Sequence, residues 1–162
     1  MYLKRKNSHK MKGINKVKLK YIILTSIIIF LDQASKYFIN NNFDSFENKD
    51  FYLFSIYLIK NNGAAFNLFS TNRIFLSFIS VFSSIIIIYI LYFKNNINNI
   101  EKYSLSFILG GSIGNGIDRV INGFVIDFIE LNYVNFPVFN IADISINIGF
   151  LILLYVLIKK KN

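Results

Sequence analysis

The stretch RIFLSFISVFSSIIIIYILYF, residues 73–93, carries no charge after Arg73. A helix of about 20 apolar residues crosses the roughly 30 Å of hydrocarbon in a bilayer. Lipid offers no water to backbone N–H and C=O groups, so a spanning segment must pair them internally, as a helix does. This one run sets the class of the chain as a mainly α membrane protein. Three more segments have the length and apolarity to join it, at about 20–39, 103–122 and 139–158. The 103–122 segment, YSLSFILGGSIGNGIDRVIN, is Gly-rich and more polar than the others. The expected architecture is four transmembrane helices in one compact domain over 20–158, between a basic tail at 1–19, disordered at its start, and a lysine-rich tail at 159–162. YIILTSIIIFL (21–31) follows basic residues and could imitate a signal peptide, but no small-x-small cleavage site follows and DQASK does, so it reads as an uncleaved first span. A start at Met11 gives an equally sensible N-terminus.

The charges orient the spans. Eight of the 18 Lys and Arg lie in the first 20 positions, Lys94 and Lys102 flank the second loop, and Lys159, Lys160 and Lys161 close the chain. With four alternating spans all of these fall on one side, and the positive-inside rule makes it cytoplasmic. Both termini are then cytoplasmic, and segments of about 40–72 and 123–138 lie outside. The net charge of +9 is therefore topological, and it does not mark nucleic-acid binding. FYLFSIYLIKNNGAAFNLF (51–69), with its Asn-Asn-Gly turn signal, reads as a small outer sheet, and Asn135, Phe136 and Pro137 mark a second turn.

The chain has no Cys and a single His9, in the basic tail. Disulfides, thiolate nucleophiles, His-based catalysis and Cys- or His-ligated metals are thereby set aside, and no cofactor is expected. Carboxylates remain. Asp32 and Lys36 share a helix face, as do Asn115 with Asp118 and Arg119, and Asn140 with Asp143 and Asn147. In the topology above these stripes gather toward the outer face. Intramembrane ionisable groups usually face a bundle interior or a wet cavity and mark function. For Asp32–Lys36 and Asp118–Arg119, where opposite charges are neighbours, a purely structural network explains the residues equally well. Asp127 and Asp143 have no cation beside them in sequence. Gly110 and Gly114 form a G-x-x-x-G step for close helix approach. A dinucleotide fingerprint is excluded by spacing.

Two carboxylates within hydrogen-bond reach cannot both ionise comfortably. One can take a proton from water while the other donates to a carbonyl, which hydrolyses an amide without metal, thiol or imidazole. The motifs LDQASK, KNNGAAFN, GGSIGNGIDR, VIDFIEL and FPVFNIAD occur in this order across about 20–158. Together they closely resemble the lipoprotein signal peptidases (signal peptidase II) of bacteria. The resemblance implies an aspartic endopeptidase that cleaves diacylglyceryl-modified prolipoproteins before the lipid-bearing cysteine, with Asp127 and Asp143 as the catalytic pair. It implies supporting or substrate-contacting roles for Asp32, Lys36, Asn61, Gly63, Ala65, Gly111, Asn115, Asp118, Arg119, Asn140 and Ala142. It also implies a place in the bacterial inner membrane with the site toward its outer face, a small extracytoplasmic β-cradle, a short extracytoplasmic helix, contact with membrane lipids, a monomer, and inhibition by globomycin. The chain departs from the common pattern at NNGAAFN and FVIDF, where NTGAAFS-like and HVVDF-like runs are frequent. A rival reading is a small transporter or assembly subunit using the polar cluster as a relay. It would need helix breaks at matching positions in two halves, and the motifs of the spans are distinct.

Overall fold

The computed structural model describes residues 2–46, 49–63, 72–94 and 96–161, with side chains from Leu19 onward apart from Arg73 and Lys161. Four long helices form a bundle: α1 (Tyr2–Asn41), α3 (Arg73–Phe93), α4 (Asn99–Ile121) and α5 (Ile141–Lys161). A one-turn helix α2 (Phe43–Phe46) follows α1. The strands β1 (Asp50–Phe51), β2 (Phe54–Asn61) and β3 (Val125–Leu131) make an antiparallel sheet in the order β1-β2-β3.

Local chemistry explains the helix ends. The Asn42 backbone N–H and side-chain amide both donate to the Phe38 carbonyl, at 3.1 and 2.8 Å, and close α1. Asn72 caps α3 by accepting from the Phe75 N–H at 3.1 Å. Asn98 and Glu101 exchange bonds of 2.8 and 2.9 Å in a capping box that starts α4. Gly123, at φ 81°, lets the chain leave α4 and turn directly into β3, a backbone conformation that favours glycine.

The helix α4 is central and packs against α1, α3 and α5. Its glycines set the approach. A Cβ on Gly110 would lie 2.7 Å from the Ile28 side chain, and one on Gly111 would collide with the Ala142 carbonyl. A Cβ on Gly114 would lie 2.5 Å from the Asp32 carboxylate. Hydroxyls add bonds across the same interfaces: Ser104 to the Gly149 carbonyl at 2.7 Å, Ser145 to the Phe107 carbonyl at 2.8 Å and Thr25 to the Ser106 carbonyl at 3.3 Å. Gly114→Val is expected to force α1 and α4 apart and to cost about 1–3 kcal/mol. A thermal melt in detergent checks this, and an unchanged midpoint would refute the close-packing role.

Among the described residues three segments are long and apolar enough to cross a membrane: Leu19–Asn41, Ile74–Phe93 and Ile141–Lys160. Their outward faces are bare of protein, with Phe30 70% and Ile74 76% exposed. The expected third span, within α4, has the length but not the apolarity. A helix ringed by others meets protein on most sides, so small and polar residues replace Leu and Ile there. Ser104, Ser106, Asn115 and Asp118 of α4 are all buried.

The sheet caps the end of the bundle where α1 stops. Ile39 of α1 packs with Ile126 and Phe128 of β3. The expected sheet is present, but its pairing differs from the sequence reading. The tight turn falls at Tyr52–Leu53, and β2 ends at Asn61, so the Asn-Asn-Gly signal stands at a strand end, and residues 64–71 beyond it lie outside the described residues. The partner of β2 is β3, the VIDFIEL segment, reached only after α3 and α4. A bulge between Ile56 and Ile59 shifts the register, so that Ile59 faces Asp127 and Asn61 faces Val125.

Candidate active site

The candidate side chains come from α1, α4, α5 and the strands β2 and β3. Asp127 lies in the middle of β3 and is 3% exposed. Asn61, placed diagonally across the ladder by the bulge, donates to Asp127 Oδ2 at 2.8 Å. The Asn61 side-chain oxygen in turn accepts from the Gly63 N–H at 2.8 Å, which fixes the orientation of its amide.

Asp143 lies in the first turn of α5. Its Oδ2 accepts from the Asn140 N–H at 3.2 Å, and the Asn140 Oδ1 accepts from the Asp143 N–H at 3.0 Å. This reciprocal pair starts the helix as a capping box does. The Asn140 amide nitrogen then reaches Asp127 Oδ1 at 2.6 Å and Asn115 Oδ1 at 3.1 Å. One fully buried side chain therefore begins α5, holds Asp143 and holds Asp127. Asn115 completes the link by donating to Asp143 Oδ1 at 2.8 Å.

Behind this layer stands a dry ionic cluster. Lys36 is 2% exposed and uses its ammonium on Asp32 at 2.8 Å, Asp118 at 2.9 Å and Asn115 Oδ1 at 3.0 Å. Asp32 Oδ1 accepts from the Ala142 N–H at 2.9 Å, so α1 satisfies one of the open donors at the start of α5. Asp118 Oδ2 also accepts from the Ile126 N–H at 3.3 Å and locates β3. Gln33 bonds Asp32, Asp118 and the Gly114 carbonyl at 3.1, 3.2 and 3.1 Å. No buried side-chain polar atom among the described residues lacks a partner.

Asp127, Asp143, Asn61, Asn115 and Arg119 line one cavity of about 920 Å³. Asn147, on the stripe with Asn140 and Asp143, lines it too, and Phe136, Ile144 and Ile148 supply apolar wall. Asp32, Lys36, Asp118, Gly111 and Ala142 stand behind the cavity and hold the elements in place. Asp118 pairs with Lys36 and not with the adjacent Arg119, whose guanidinium donates to the Gly63 carbonyl at 3.2 Å and Ser80 Oγ at 3.4 Å. Consecutive helix residues point to different faces, so sequence adjacency misleads there. Ala65 lies outside the described residues. Gln33 and Ser80 escaped the sequence reading. Gln33 was visible within LDQASK, but in a chain this rich in neutral amides it gives no separate signal.

Burial pushes the Asp127 carboxyl up to about 6, with the nearby Asp143 charge adding to the rise and the Asn61 and Asn140 bonds opposing it. A carboxyl raised toward neutral pH beside a second carboxyl, at the wall of a cavity, is an arrangement able to activate water and protonate a carbonyl. Among the described residues no group of His, Cys, Asp and Glu is placed to hold a metal ion.

Residues 24–159 match the family model described as signal peptidase (SPase) II. The chain is 38% identical over 145 residues to the lipoprotein signal peptidase of Enterococcus faecalis, covering 87% of this chain and 89% of that one. It is 39% identical over 136 residues to the lipoprotein signal peptidase of Microcystis aeruginosa, covering 82% and 87%. A bacterial membrane enzyme solved by the in meso method at 2.3 Å superposes with a TM-score of 0.77 at 30% identity, over 88% of this chain and 90% of that one.

Proposed function

Because the chain belongs to the signal peptidase II family, membrane proteases that act on prolipoprotein signal peptides, we propose that Asp127 and Asp143 are its catalytic pair. The observation that carries this is the convergence of the two carboxylates on one cavity, with the Asn140 side-chain amide bonded to the Asp127 carboxylate and to the Asp143 backbone N–H. Asp127 carries the proton of the pair, in line with a carboxyl pushed up to about 6. Asp143 takes a proton from water as the water oxygen bonds to the scissile carbonyl carbon. Asp127 gives its proton to the carbonyl oxygen. The resulting gem-diol collapses with cleavage of the C–N bond: the departing amine takes the proton held by Asp143, and one gem-diol hydroxyl returns its proton to Asp127 as the carbonyl re-forms. Arg119 and Asn115 orient substrate carbonyls.

The substrate is a diacylglyceryl-modified prolipoprotein cut before the lipid-bearing cysteine. Its acyl chains lie in the bilayer, against the apolar wall formed by Ile144 and Ile148. In this reading α4 is the fourth span, both termini face the cytoplasm, the sheet and the aspartates face outward, and the enzyme works as a monomer. The direct test is incubation of the detergent-purified protein with a lipidated precursor, with and without globomycin. Globomycin-sensitive release of the signal peptide is expected. No processing by a folded preparation would overturn the reading.

The pH profile is a sharper check on the proton's position. As pH rises through about 6 Asp127 loses its proton and cannot protonate the carbonyl, so kcat/KM should fall along that limb. The Asn61 bond favours the ionised form, so Asn61→Ala should move the limb to higher pH. A limb that stays put in that variant would count against Asp127 as the acid.

A further inference from the structure

The end of the bundle far from the aspartates carries a feature that peptide hydrolysis does not use. There the apolar part of α1 begins, α4 starts and α5 ends. Tyr21 donates to Asn99 Oδ1 at 3.0 Å and ties α1 to α4. Lys20 Nζ lies 4.9 Å from the Tyr103 ring and 5.0 Å from the Tyr21 ring, and Lys102 Nζ lies 6.0 Å from the Tyr21 ring. Lys160 pairs with Glu101 at 2.6 Å.

Beside these groups lies a groove of about 570 Å³ between α4 and α5. Ile100, Tyr103 and Phe107 form one wall, Leu151, Ile152 and Tyr155 the other, and the lining presents no polar surface. The tyrosines sit at its lysine-rich end, the depth at which amphipathic rings meet lipid headgroups. Lys159 is exposed one turn beyond Tyr155 on the same helix face. The positive end of the α4 dipole is here as well. Lys20, Lys94, Lys102, Lys159 and Lys160 stand against Glu101 alone among the described acids of this end.

We propose that this groove is a binding site for an anionic phospholipid. One acyl chain lies along Phe107, Leu151 and Ile152, and the phosphodiester sits among Lys20, Lys102 and Lys159. Charge complementarity selects this occupant. A second copy of the chain would bring a like-charged lysine cluster, and a signal peptide would bring its own basic n-region. A zwitterionic lipid would fill the groove without answering the lysines. Each lysine near an anionic headgroup contributes about fivefold in affinity.

The test is native mass spectrometry of the delipidated, detergent-purified protein. The probes are phosphatidylglycerol, phosphatidylcholine with the same chains, and inorganic phosphate. Phosphatidylglycerol should bind at least about tenfold tighter than phosphatidylcholine, and phosphate alone should not bind measurably. Lys20→Gln with Lys159→Gln should remove most of that preference and leave phosphatidylcholine binding unchanged. Ile152→Trp, which fills the groove, should weaken both lipids. Equal binding of the two lipids, a preference that survives the double lysine variant, or tight binding of free phosphate would each overturn the proposal. So would a folded Ile152→Trp protein that binds lipid normally. The readout needs no peptide substrate, so it stands apart from the fate of the aspartate pair.

Discussion

Asp143→Asn is expected to abolish processing of a lipidated precursor, lowering kcat/KM by on the order of 10⁴-fold or more, the loss expected of one member of a catalytic pair. Asp127→Asn does the same. The two variants keep the shape of the side chain and remove the group that takes or gives the proton. Each leaves a modest scar in the fold. Both oxygens of Asp127 accept from pinned amides, Asn61 and Asn140, and both oxygens of Asp143 accept from Asn115 and Asn140. An introduced NH₂ must face one of those donors, at a cost of about 1–3 kcal/mol. A thermal melt in detergent separates this from chemistry. A folded variant with near-normal cleavage would remove that aspartate from the mechanism.

Lys36→Met is expected to cause a large loss of stability. The substitution strands Asp32 and Asp118, 0% and 2% exposed, without their shared cation. Removing one partner of a buried ionic group costs about 3–5 kcal/mol. The damage spreads, because Asp32 holds the start of α5 and Asp118 holds β3. Adding Asp32→Asn and Asp118→Asn to Lys36→Met removes the uncompensated charge, so the triple variant should melt above the single one. If Lys36→Met melts like the parent, the cluster is not a structural keystone.

The apolar spans and the depth of the polar residues were legible because hydrocarbon penalises charge, leaving each buried carboxylate conspicuous in its run. The central helix was the least obvious span for a related reason. Its neighbours are protein, and its Gly110, Gly111 and Gly114 trade apolarity for close approach. The strand β3 was missed as a strand because Val125, Ile126, Asp127 and Phe128 are buried on both faces and show no alternation. Its register depends on a one-residue bulge in β2, which no local pattern announces. The Lys36–Asp118 pair joins residues 82 positions apart, on α1 and α4, and nearness in sequence pointed to Arg119 instead.

Asn140 has one further effect. Because the same amide begins α5 and spaces the two aspartates, the reaction centre is tied to a helix end, and ends fray before middles do. Gentle warming that loosens only that opening turn is expected to cost activity before the bundle unfolds, an order that parallel activity and melting curves in detergent would check.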